Sequence, residues 1–119
     1  MNTSAQDSIK KGQLAAGLLV PGDSQIEVQG VLNFETVPVL MKQAEGLLQN
    51  LSEAKFSFKG VDDSNSAGLA LLLELKRFMN SKNKNIVFSD LPVQIRTIAH
   101  AYGMDAELDA YLGLQDSSI

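Results

Sequence analysis

The sequence predicts one α/β domain: a mixed sheet of four to five strands packed with three to four helices, in the order β-β-α-β-α-β-α. Three observations predict it. Two short strand-like segments open the chain, separated by turn residues. Helical and strand-like periods then alternate to the end. The chain has 119 residues, 45% hydrophobic and 20% charged, which suits one globular core and leaves no room for two. Strand–helix–strand units of this length imply parallel pairs joined by right-handed crossovers.

The first thirteen residues are polar and are expected to form a flexible tail, with the domain spanning 14–114 and 115–119 fraying. Leu14–Val20 reads as a first strand, and Pro21-Gly22-Asp23-Ser24 has turn chemistry. Gln25–Leu32 sets Ile26, Val28 and Leu32 against Gln25, Glu27 and Gln29. That is a second strand with one buried face, paired to the first as a hairpin. Lys10 and Lys11 before Leu14–Val20 imitate a short signal peptide, but Gly17 interrupts the run and Pro21-Gly22-Asp23 replaces the expected small residues. No stretch approaches the ~20 apolar residues of a membrane span. A cytosolic protein without direct membrane insertion is expected.

Over Phe34–Leu48 the period changes: Val37, Leu40, Met41, Ala44, Leu47 and Leu48 share one helical face, with Pro38 in the first turn. Lys55–Lys59 alternates around Phe56 and Phe58 as a third strand, and Gly60–Ser66 reads as a polar loop. Ala67–Asn80 is the most apolar helix and should be the most buried. Ser81–Asn85 is a turn, and Ile86-Val87-Phe88 reads as an interior strand covered on both sides. Asp90 is expected to cap a third helix whose apolar face is Val93, Ile95, Ile98, Ala99 and Tyr102, ended by Gly103 at C′. A short last helix follows over Ala106–Leu112. With no Trp and few aromatics, the core is expected to be aliphatic.

Composition excludes several functions. A net charge of −4 disfavours nucleic acid and anionic membranes, which attract clustered Lys and Arg. Lys76, Arg77, Lys82 and Lys84 read as a solvated helix end. No cysteine is present, so disulfides, thiol catalysis and cysteine-held metals are excluded. The single histidine, His100, lies in a helix without a partner carboxylate pair and reads as structural. No phosphate-binding glycine loop and no G-x-S-x-G elbow occurs. Asp62 and Asp63 are adjacent, so they point apart and make neither an acid–base pair nor a full set of hard-cation ligands. No catalytic residue, metal or cofactor is expected.

The most informative segment is Asp62–Leu69. Ser64, Asn65 and Ser66 are three candidate N-caps at the mouth of the apolar helix, where one is enough. A helix start also presents free N–H groups and a positive dipole end, which can dock a partner or stabilise a phosphorylated hydroxyl. Asp62 and Asp63 oppose the phosphate.

Asn65-Ser66-Ala67-Gly68-Leu69-Ala70-Leu71-Leu72-Leu73 resembles the signature of STAS domains, whose pattern is roughly Asp-Ser-Ser-Gly-Leu or Asp-Thr-Gly-Gly-Leu. Ala67–Leu73 is most similar to the MlaB-type members, the small cytosolic STAS subunits of the Mla phospholipid ABC transporter of Gram-negative bacteria; anti-sigma factor antagonists are more distant. Gly30-Val31-Leu32-Asn33 resembles the end of the family's opening hairpin, and Ile98–Met104 its last core helix. The likeness spans about Leu18–Leu112. It implies a STAS fold and a non-enzymatic regulatory subunit that binds the transporter's cytosolic ATPase, peripheral to the inner membrane, in a system maintaining outer-membrane lipid asymmetry. It implies a partner-binding set of Ser64, Asn65, Ser66, Ala67, Gly68 and Leu69. Ser66 falls at the family's key Ser or Thr, the phosphoacceptor in antagonists, so the alternative is a partner-switching regulator whose partner is an anti-sigma factor kinase. Asn65 stands where an Asp is usual, as does Asn33, which weakens kinase recognition more than plain docking.

Overall fold

A computed structural model describes residues 15–112; the predicted terminal tails lie outside that range. The elements are β1 (Ala16–Leu19), β2 (Gln25–Leu32), α1 (Thr36–Leu48), β3 (Glu53–Ser64), α2 (Ser66–Ser81), β4 (Asn85–Ser89), α3 (Val93–Ala101) and α4 (Asp105–Leu112). The sheet has four strands in the order β1-β2-β3-β4. The first pair is antiparallel, and β2–β3 and β3–β4 are parallel. The predicted α/β class and element order hold.

Register explains which face is buried. Ile26 lies beside Phe56, and Phe56 beside Phe88; all three are almost fully inaccessible. The alternate residues Glu27, Lys55, Ser57 and Val87 stay accessible, so the sheet is covered on one face. Val87 is 37% exposed, which corrects the reading of β4 as covered on both sides. A run of three apolar residues does not by itself distinguish a two-sided from a one-sided strand. The expectation of an aliphatic core is also corrected. Phe56, Phe58 and Phe88 are among the largest fully buried side chains. Their rings meet at 6.2 Å and 6.0 Å in tilted and edge-on geometry, which the ring quadrupole favours.

Helix α1 packs on β1, β2 and α2, and α2 on α1, α3 and β4. α2 buries seven residues, including Leu71, Leu72, Leu75 and Met79. Each such side chain contributes about 1.5–3 kcal/mol, so burial rather than capping makes this helix exist. α3 packs against α2 and β3, and α4 against α3 and β4. Within α3 only Ile95 and Ala99 are fully buried; Val93 and Tyr102 are each 69% exposed, unlike the expected apolar stripe. Asp90 does not cap α3. Pro92 occupies the N-cap without a side-chain bond, while Asp90 has φ +57° and its carboxylate accepts from the Ser57 hydroxyl. Gly103 does end α3, at φ +71°, with its N–H donating to His100 O and that of Met104 to Ala99 O. This is the Schellman pattern.

Because three strands run parallel, their carboxyl ends point to one pole and their amino ends to the other. At the amino pole Lys84 Nζ donates to Leu48 O and Gln49 O, at 3.1 and 3.0 Å. Lys84 thus caps the end of α1, not a solvated end of its own neighbouring helix. Lys82 lies over the Phe78 ring at 5.2 Å.

Candidate functional site

The carboxyl pole is built mainly by β2 and β3. β3 outruns β4: Ser57 is its last residue paired with β4, and the strand continues to Ser64. Of the expected loop Gly60–Ser66, Gly60–Ser64 is therefore strand, held by the pairs Val61–Gly30, Asp63–Val31 and Ser64–Leu32. Backbone pairing overrides the low strand propensity of Gly and Asp there. The ladder bulges beside Gly30. Gly30 has φ +93°, and a Cβ on it would lie 2.1 Å from Ala15 O, so this bend admits only glycine.

Two helix starts follow side by side. After β2, Asn33 Oδ1 accepts from the N–H groups of Glu35 and Thr36. Thr36 Oγ1 accepts from Asn33 N–H and donates to Val31 O. This reciprocal pair closes a turn just ahead of the helix, whose N-cap position Glu35 has no side-chain bond, and Phe34 lies in that turn, 68% exposed. After β3, Asn65 is the N-cap of α2 and its side chain accepts from Ala67 N–H at 2.7 Å. Asn65 N–H donates to Leu32 O at 3.1 Å, tying the two starts together.

The three candidate caps thus have different fates. Asn65 caps. Ser64 is 7% exposed and donates inward to Asn65 O. Ser66 is the half-buried first residue of α2, and its hydroxyl has no hydrogen-bond partner among the described residues. Ala67, Gly68 and Leu69 are buried. A Cβ at Gly68 would lie 2.0 Å from Ser64 Oγ and 3.0 Å from Ile95 Cδ1. Of the six residues expected to bind a partner, Asn65 is exposed and Ser66 half-buried, while Ser64, Ala67, Gly68 and Leu69 are buried and shape the corner from beneath.

Asp63 Oδ1 accepts from Ser64 N–H and from Gln94 Nε2 of α3. Asp62 instead borders a shallow furrow of about 430 Å³ on the uncovered sheet face, beside Gly17, Gln29, Gly30 and Gly60. Among the described residues no three His, Asp or Glu side chains gather as a metal site would require. His100 pairs with Asp105 at 3.0 Å, both exposed, joining α3 to α4. No helix among the described residues is long and apolar enough to cross a membrane.

This pole also carries two exposed apolar side chains: Phe34, 68% exposed and ahead of a helix that begins at Thr36 rather than Phe34, and Val93, 69% exposed despite its place on the expected apolar face.

A family model described as "Mlab, STAS domain" matches residues 19–114. No curated protein matches the chain at a significant level. Among solved structures, SpoIIAA, an anti-sigma factor antagonist, in its unphosphorylated form is similar at TM-score 0.59 and 14% identity, over 76% of this chain and 82% of that one. Phosphorylated SpoIIAA, a Bacillus cell fate determinant, gives 0.61 and 14%, over 82% and 88%. An anti-sigma factor antagonist from Mycobacterium paratuberculosis gives 0.61 and 17%, over 77% and 80%. At these identities the likeness is one of fold.

Proposed function

The chain belongs to the MlaB-type STAS domain family, and from that membership we propose that it is a non-enzymatic regulatory subunit of a phospholipid ABC transporter that binds the transporter's cytosolic ATPase. One observation carries the reading. Exposed Asn65 and half-buried Ser66 form a corner above buried Ser64, Ala67, Gly68 and Leu69, at a helix start whose geometry is fixed by its own cap. Such a corner offers a rigid polar edge with no catalytic group beside it. Binding there costs little ordering entropy. The ATPase would sit at the inner membrane and hold this subunit there, in a system that keeps the two outer-membrane leaflets different in lipid.

Affinity purification from a Gram-negative host tests the reading. Wild-type chain should recover an ABC ATPase, and Ser66→Arg should lose it while melting normally. Recovery of no ABC ATPase by the wild type overturns it.

A second reading, an antagonist switched by phosphorylation of Ser66, draws on the unpartnered Ser66 hydroxyl at the positive end of α2. Asp62 and Asp63 just upstream oppose the added charge. Intact mass after incubation with an anti-sigma kinase decides it: an adduct of one phosphate on the wild type but not on Ser66→Ala supports the switch, and no adduct removes it.

A further inference from the structure

We propose that Phe34 is the apolar anchor of the docking corner, with Val93 as a second, smaller contact, and that the partner surface seated there is a basic protein surface with an apolar socket. This deepens the docking reading above and rests on it. An exposed apolar side chain means little alone, since many occur singly on any surface. Position distinguishes these two.

Leu32 and Ser64 are the last register pair of β2 and β3. Phe34 and Ser66 each lie two residues past that pair, so the two chains leave the sheet at the same level. The reciprocal Asn33–Thr36 turn fixes the backbone on both sides of Phe34, which holds the ring outward at 68% exposure. On the other flank, Gln94 donates to Asp63, and Ile95 lies against the Gly68 position. Those contacts bring the first turn of α3, with Val93 exposed, to the same corner.

Charge selects the partner. Glu35 adjoins Phe34, and Asp62 and Asp63 precede the corner; all three are exposed. Among the described residues none of them forms an ion pair. Around an apolar centre, Glu35 and Asp63 make a negative rim that the exposed Arg96 in the first turn of α3 offsets in part, while Asp62 lies back on the uncovered sheet face. Such a rim speeds encounter with a positive surface and disfavours an anionic one. A second copy of this chain would bring like charges together, which argues against self-association through this pole.

The test measures affinity of the purified wild-type chain for the ABC ATPase it recovers, by titration calorimetry. Phe34→Ala should weaken binding by about tenfold or more, as truncating a central aromatic anchor does. Val93→Ala should have a smaller effect, and Val87→Ala, on the uncovered sheet face, none. Glu35→Lys, beside the anchor, should also weaken binding and flatten its salt dependence. Each variant is first melted to confirm folding, which the exposure of these side chains protects. If Phe34→Ala binds within twofold of wild type while Ser66→Arg abolishes binding, the anchor is wrong and the docking reading stands. Salt-independent wild-type affinity overturns the basic partner. If the wild type binds no ATPase but dimerises in a Phe34-dependent way, both readings fall.

Discussion

Replacing Asn65 by alanine isolates what this side chain does for the fold. The side chain accepts one hydrogen bond, from Ala67 N–H at 2.7 Å, and is itself exposed, so no packing is lost with it. Removing an N-cap of this kind costs about 1 kcal/mol, within a range of roughly 0.5–2. The buried side chains Leu71, Leu72, Leu75 and Met79 outweigh that several-fold, at about 1.5–3 kcal/mol each. The helix should therefore persist with a loosened first turn. Thermal unfolding followed by circular dichroism should show Tm lowered by roughly 4–8 °C for each kcal/mol lost, with an unchanged folded spectrum. Asn65→Asp retains the acceptor and places negative charge at the positive end of α2, so its Tm should match or exceed that of wild type. An Asn65→Ala protein melting with the wild type, or an Asn65→Asp protein as damaged as Asn65→Ala, refutes the assignment of Asn65 as the cap.

Three further outcomes are expected. Gly68→Ala drives its Cβ against Ser64 Oγ and Ile95. It should cost about 1–3 kcal/mol from overpacking, against at most ~1 gained from helix propensity. In urea titrations Ser64→Ala should recover part of that loss, and strict additivity of the two changes would rule out the Ser64 contact as its source. Gly30→Ala combines a left-handed backbone with a carbonyl 2.1 Å away. It should lower stability by more than the ~1–2 kcal/mol of the backbone conformation alone, and a wild-type urea midpoint would show that the bulge tolerates a side chain. Lys84→Met leaves Leu48 O and Gln49 O without their ammonium donor. A loss of about 1 kcal/mol is expected by the same titration, with an unchanged midpoint as the contrary result.

The parts of the fold legible in the sequence are those whose side chains report their surroundings. Gln25–Leu32 alternates cleanly, and its observed range is the expected one. α1 and α2 show their apolar arcs at three- and four-residue spacing. The continuation of β3 through Gly60–Ser64 was not legible. Its residues are poor strand formers, and a backbone partner in β2 decides the outcome. Asp90 looked like a cap because its type is common there, yet its backbone turns left-handed and its carboxylate serves Ser57. At the corner the sequence narrowed the candidates to Ser64, Asn65 and Ser66. Their division into buried strut, cap and half-buried, unpartnered hydroxyl depends on how β3 enters α2, which no local pattern states.

The separation of the two poles has a practical consequence. The Lys84 tie lies at the pole opposite Phe34, Asn65 and Ser66, and the nearby α1–β3 turn carries the exposed Asn50. Since the chain contains no cysteine, Asn50→Cys would give one unique thiol on that remote side. A fluorophore or surface tether attached there would hold the molecule by its back and leave the Asn65–Ser66 corner free. Any partner could then be titrated against a reporter that responds to tumbling rather than to contact.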